Sequence, residues 1–179
     1  MKFLVISDIH GSDKYLKKAF EAYKYFKADK LIVLGDFLYH GPRNPIPDGY
    51  NPANVANKFN NFENEIMAVR GNCDAEVDQM LINVQIMKTY KIININGLKT
   101  CLSHGHIINR ENMCEEKIDM LINGHTHLPV LEKVNNIIYF NPGSITLPKQ
   151  NNPNSFGFID EKSICIYDFD YKIIKQLII

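Results

Sequence analysis

Leu31-Ile32-Val33-Leu34-Gly35-Asp36 decides how this chain folds. Four apolar residues in a row, with β-branched Ile32 and Val33 among them, form a strand with both faces buried. The run stops at Gly35, which gives the backbone room to turn. Asp36 then stands as a bare carboxylate at the carboxyl end of the strand, where open α/β sheets bind ligands. Alone, a Gly-Asp after a strand is a turn signal. Four other stretches of the chain end in the same way, with metal-ligand side chains just past an apolar run. Asp36 lies near the middle of that series and reads as the carboxylate shared between two metals.

The 179 residues suffice for one domain, 1–179, with a substantial core. A hydrophobic fraction of 45% and a charged fraction of 22% are those of a soluble globular protein. Formal net charge is zero, so no nucleic-acid partner is expected. No apolar run approaches the ~20 residues of a membrane span, so no membrane association is expected either. The chain opens directly on the strand pattern Lys2-Phe-Leu-Val-Ile6, without the regions of a signal peptide. Cys73, Cys101, Cys114 and Cys165 are scattered and form no CxxC pair, which weighs against a disulfide framework or a zinc ribbon. Reduced thiols and a cytoplasmic location are the natural expectation.

Working outward from Asp36, residues 2–7 form a buried strand ending in Ser7-Asp8-Ile9-His10-Gly11. Ser12-Asp13 can cap a helix to about Lys27, whose apolar face carries Leu16, Ala19, Phe20, Tyr23 and Phe26. Strand 30–35 completes a βαβ unit. The segment 39–51 has three prolines and two glycines between His40 and Tyr50 and reads as a functional loop. Pro52 opens a helix to about Phe62. Ile66-Met-Ala-Val69 is a third strand, ending in Arg70-Gly71-Asn72-Cys73-Asp74, and residues 75–82 are helical or irregular. The second half is rich in strands. Lys91–Ile95 and Leu98–Leu102 form a hairpin about Asn96-Gly97, a type I′ turn signal. It ends in Ser103-His104-Gly105-His106. A helix is expected near 110–117, then a short strand 120–122 ending in Asn123-Gly124-His125-Thr126-His127. Strands near 129–134, 137–140, 156–160, 163–168 and 171–178 close the chain. The expected fold is α/β (α+β), with two sheets between helices and the functional loops at one edge.

Those loops present Asp8, His10, Asp36, Asn72, His104, His125 and His127, with His106 nearby. Imidazole, carboxylate and amide oxygen together suit Mn2+, Fe2+, Zn2+, Co2+ or Ni2+ rather than a calcium-only site. Seven ligands exceed one tetrahedral zinc and fit two metals that share a carboxylate. Two metals ~3.5–4 Å apart are the usual clamp for displacement at phosphorus. In Asp8-x-His10 and His125-x-His127, alternate side chains of an extended segment would point the same way.

Asp8-x-His10-Gly11, Gly35-Asp36, Gly71-Asn72, His104-Gly105-His106 and Gly124-His125-x-His127 resemble the motifs of the calcineurin-like metallophosphoesterases. Gly41-Pro42-Arg43-Asn44-Pro45, Val69-Arg70-Gly71-Asn72-Cys73-Asp74, Gly124-His125-Thr126-His127-Leu128-Pro129 and Asn141-Pro142-Gly143-Ser144 narrow the resemblance to small bacterial phosphodiesterases of the YfcE type. The resemblance runs nearly end to end. It implies a four-layer αββα sandwich, with two mixed β-sheets flanked by helices, and two divalent ions, commonly manganese. One ion would take Asp8, His10, Asp36 and His127, the other Asp36, Asn72, His104 and His125. A hydroxide bridging the metals would attack a small phosphodiester in line, with no protein nucleophile. Many relatives have His after Gly-Asn as general acid. Here that position is Cys73, which leaves protonation of the leaving group to Cys73, Asp74, His106 or a metal-bound water. Arg43 is a candidate for a phosphate oxygen, and Asn141-Pro142-Gly143-Ser144 for orienting the ligands.

Other readings compete. The same fold serves a retromer subunit that acts as a binding scaffold with a degraded metal site, and all seven ligand positions are intact here. A phosphomonoesterase and a purely structural or sensing metal protein are the remaining alternatives. The natural substrate, the native metal and the oligomeric state, a homo-oligomer included, stay open in the sequence.

Overall fold

The computed structural model describes residues 1–179. Buried strand and amphipathic helix alternate through the first half: β1 (Phe3–Ile6), α1 (Asp13–Tyr25), β2 (Lys30–Val33), α2 (Pro52–Asn60), β3 (Ile66–Ala68) and α3 (Glu76–Leu81). The Ser12 hydroxyl accepts the Tyr15 N–H at the start of α1. Asn51 does the same for Asn54 before Pro52 of α2. The second half supplies β4 (Tyr90–Ile95), β5 (Leu98–Ser103), β6 (Met120–Ile122), β7 (Pro129–Val134), β8 (Ile137–Pro142), β9 (Ser155–Ile159), β10 (Ser163–Asp168) and β11 (Ile173–Ile178). Asn96 and Gly97 have φ of 50° and 93°, the left-handed pair that a type I′ turn requires.

The strands form two mixed sheets. One has the order β11-β10-β9-β1-β2-β3, with β1, β2 and β3 parallel. The other has the order β4-β5-β6-β8-β7, with β5, β6 and β8 parallel. Both faces of the first sheet are covered, which is why its central strands read as unbroken apolar runs. On the outer face, Leu4, Ile6, Leu31 and Val33 pack against Leu16, Val55 and Phe59 of the helices. On the inner face, Phe3, Val5, Ile32 and Leu34 meet Leu102, Met120, Ile122 and Phe140 of the second sheet. Each such fully buried side chain contributes roughly 1.5–3 kcal/mol relative to exposure. No helix is long and apolar enough to cross a membrane.

Residues 110–117 are not helical. The side chain of Asn109 accepts the N–H groups of Glu111 and Asn112 and donates to Gly105 O, while Asn112 donates to Ile107 O. These side-chain bonds offer the backbone an alternative to the helical ladder. The irregular segment still covers the outer face of the second sheet, where Ile108, Met113 and Cys114 pack on Cys101, Ile118 and Leu121.

Candidate metal centre

The parallel strands set the site. β1, β2 and β3 point their carboxyl ends to one edge, and β5 and β6 bring theirs to the same edge. Asp8 and His10 follow β1, Asp36 follows β2, Asn72 follows β3, His104 follows β5, and His125 and His127 follow β6. Backbone bonds tie the loops together: His10 donates to Asp36 O at 2.8 Å, and Gly124 to His104 O at 2.8 Å. Gly35 (φ 93°) and Gly71 touch backbone to backbone; a Cβ on Gly35 would lie 2.4 Å from Gly71 N. Nothing larger than glycine fits there.

The two ligand pairs, Asp8-x-His10 and His125-x-His127, are not extended. Asp8, His10, Asp36, His125 and His127 all have φ between 49° and 69°. The alternation argued from sequence therefore does not aim these side chains. Tight left-handed turns do, at a local cost of order 1–3 kcal/mol each that the surrounding bonds must hold.

Three imidazoles are oriented by the same device. His10 Nδ1 donates to Tyr39 O, His104 Nδ1 to Leu34 O and His127 Nδ1 to Leu147 O. That leaves each Nε2 facing the centre, as metal-ligating histidines require. Asp8 Oδ1 is buried with no hydrogen-bond donor. It lies 3.2 Å from His127 Nε2, 3.8 Å from His10 Nε2 and 4.0 Å from His104 Nε2. Asp36 Oδ2 lies 3.6 Å from His10 Nε2 and 3.4 Å from His104 Nε2, and Asn72 Oδ1 is 3.0 Å from His104 Nε2. A buried, donorless carboxylate oxygen ringed by inward-facing imidazole nitrogens fits a cation at its focus. The groups Asp8–His10–His127 and Asp8–Asp36–His104 each hold their donor atoms within 4.8 Å of one another. His125 completes the ring from a half-buried position, its backbone N–H on Asp8 Oδ2.

The charges are strongly coupled. Burial opposes a charge on His104, but the Asp36 and Asp8 carboxylates outweigh it and hold the imidazole up to about 9. Burial likewise works against Asp8, and His127, His104 and His10 hold its carboxyl well below the usual range. His106 is pushed down to about 4 by burial and by His104 and His125. The Cys73 thiol is pushed up to about 12 by burial and by Asp36. Asp74 is raised to about 6 by burial and by Asp36, against three backbone N–H groups that its carboxylate accepts.

The candidate residues beyond the candidate metal donors fall into three places. Arg43 and Cys73 line a cavity of about 340 Å³ with His10, Asp36, Asn72 and His127. His106 lines a separate cavity of about 470 Å³, and His125 borders both. Asp74 lines neither of these; it is buried, bonded to the N–H groups of Asp36, Phe37 and Gly71. Lys149 joins Arg43 in the first cavity and escaped sequence reasoning, because no motif surrounds it. Asn141-Pro142-Gly143-Ser144 braces the site: Asn141 donates to Gly124 O, and Ser144 to Asp8 O.

A family model for the calcineurin-like phosphoesterase superfamily domain matches residues 1–163. The chain belongs to that superfamily. It is 42% identical to Phosphodiesterase YfcE of Escherichia coli (strain K12), over 100% of this chain and 98% of that protein. A phosphodiesterase of Methanocaldococcus jannaschii is 28% identical over 80% of this chain and 83% of its own. The solved structure of the E. coli YfcE phosphoesterase superposes with a TM-score of 0.95 at 41% identity, covering 99% of this chain and 98% of that one. Vps29 of Entamoeba histolytica shares the fold, with a TM-score of 0.66 at 23% identity over 100% and 99% of the two chains. The expected superfamily, its two-sheet fold and its metal-suited residue cluster are thus present in this phosphoesterase.

Proposed function

We propose that this phosphoesterase hydrolyses small phosphodiesters with two divalent metal ions, Mn2+ foremost. The observation that carries the reading is Asp8 Oδ1, buried without a donor and faced by three imidazole nitrogens whose partner nitrogens are tied to carbonyls. Identity to a named phosphodiesterase over the whole chain supports the diester class. Asp8, His10, Asp36 and His127 hold one ion, and Asp36, Asn72, His104 and His125 the other. Two ions held there would supply the acidity that activates water for in-line attack and would offset charge on the phosphoryl oxygens. The chain's own residues do the rest. Asp36 keeps its Oδ1 on the Cys73 N–H at 2.8 Å and leaves Oδ2 to the centre. Arg43 and Lys149 hold the phosphate at the cavity mouth. Asp74 fixes the loops, and no side chain serves as nucleophile.

The unpaired state of all four cysteines supports a cytoplasmic site of action. Zero net charge and a small cavity favour a small substrate over nucleic acid. A metal-by-substrate screen on purified protein, with elemental analysis, tests the reading. Manganese-dependent turnover of bis-p-nitrophenyl phosphate is expected. Bound metal without turnover would return the scaffold reading, and faster turnover of p-nitrophenyl phosphate the monoesterase.

A further inference from the structure

The 470 Å³ cavity beside the metal centre is not used by anything described so far, and His125 is the wall it shares with the reacting cavity. It is a recess of mixed character. Tyr139 and Val130 give it an apolar side, and Asn123, His106, Arg110 and Glu132 a polar one. Arg110 lies 4.9 Å above the Tyr139 ring and bonds Glu132 at 2.6 Å. Its charge is therefore spoken for, and Glu111 adds a second carboxylate to the lining. A recess with two carboxylates against one paired guanidinium repels a second phosphate.

We infer that this cavity binds the substituent of the diester that lies on the His125 side, and that the substituent is neutral and rich in hydroxyls, of the glycerol or sugar class. The inference rests on the diesterase reading and names its substrate class. Hydroxyls both donate and accept, so such a substituent can donate to the Glu132 carboxylate and accept from the free N–H groups of Arg110. A methyl substituent satisfies none of them. A phosphorylated one meets Glu111 and Glu132.

Binding of two non-hydrolysable phosphinate monoanions, (3,4-dihydroxybutyl)methylphosphinate as the glyceryl compound and dimethylphosphinate as the methyl compound, to the manganese-loaded protein tests this by calorimetry. The glyceryl compound is expected to bind at least tenfold more tightly. Val130→Trp, which fills the recess, should bring the two within threefold and leave the methyl compound unchanged. Glu132→Gln is the milder variant should the first fail to fold. It frees Arg110, so a phosphoglyceryl analogue should gain on the glyceryl one. Equal affinities in the wild type, or a preference that survives Val130→Trp, or no change of preference in Glu132→Gln, would overturn the inference. The diesterase reading is read separately: bis-p-nitrophenyl phosphate left intact by manganese-loaded protein sinks that reading, whereas turnover of it with equal affinities sinks only this one.

Discussion

The Asp74 carboxylate holds the backbone of Asp36 in place: its Oδ2 accepts the Asp36 N–H at 2.9 Å, and also the Gly71 N–H at 2.7 Å. Its Oδ1 accepts the Phe37 N–H at 2.7 Å. One side chain thus joins the loop after β2 to the loop after β3, and both loops carry proposed metal donors. Asp74→Ala leaves three buried N–H groups without an acceptor. The expected loss is at least about 3 kcal/mol of stability, since each such group costs ~1–3 kcal/mol. A fall in metal affinity of about 10–100-fold, typical of partners that orient ligands, should accompany it. Denaturant unfolding and metal titration check the two effects. Unchanged metal affinity would show that the loops hold themselves.

Asp36→Asn should lose more activity than alanine at any one terminal donor. Asp36 Oδ2 stands between His10 Nε2 at 3.6 Å and His104 Nε2 at 3.4 Å, one from each proposed ligand set. An amide there lacks the charge that two dications need. Elemental analysis should find the content of both ions reduced. Two metals per chain with near-normal turnover would refute the shared role.

The strand-end logic made these positions legible. Leu31 to Leu34 stop at Gly35-Asp36, and the same punctuation recurs at Asp8, Asn72, His104 and His125, so periodicity and residue type sufficed to gather these candidate side chains at one edge. What aims them was not legible. Asp8, His10, His125 and His127 take left-handed φ, and the rings of His10, His127 and His104 are tied to the carbonyls of Tyr39, Leu147 and Leu34, which lie far off in the chain. Lys149 reaches the cavity only through the tertiary path of the 143–152 segment, which no local pattern encodes. The false helix at 110–117 has the same origin: Asn109 and Asn112 bind their own backbone, a choice between two local structures that composition leaves balanced.

His125→Ala and His127→Ala should empty different sites. His127 is buried with Nε2 3.2 Å from Asp8 Oδ1, whereas His125 forms the wall between two cavities. Each variant should retain about one equivalent of metal, at different positions in crystal structures. Vacancy of the same position in both would overturn the division of ligands.

Arg43→Ala should raise KM or lower kcat/KM and leave Tm within a few degrees. Arg43 is exposed, lines the reacting cavity and belongs to the proline-rich loop after Asp36. Surface substitutions away from packed features cost within about 0.5 kcal/mol. Lys149→Ala should behave alike, and the double variant should lose more than either. A large drop in Tm with unchanged kinetics would make the loop structural.

Cys73→Ser should keep most phosphodiesterase activity. Cys73 lines the reacting cavity, and its Sγ accepts from Asn72 Nδ2 at 3.4 Å, so geometry alone permits a proton donor. Its proton affinity argues the other way. A general acid works best with a pKa near the working pH, and burial beside Asp36 pushes this thiol up to about 12. Two nearby dications would drive it the opposite way, to a thiolate that binds metal and donates nothing. In neither state is the thiol poised. His106, pushed down to about 4, is neutral near pH 7 and lies in the other cavity. Asp74 has both oxygens on backbone N–H groups. Solvent water is left as the proton source, which suits a leaving group such as p-nitrophenolate. The discriminating measurement is a diester with a poor alkoxide leaving group, compared in wild type and Cys73→Ser across pH. Losses within about threefold on both substrates are expected. A loss of about a hundredfold on the poor leaving group alone, within the usual contribution of a general acid, would make Cys73 the acid.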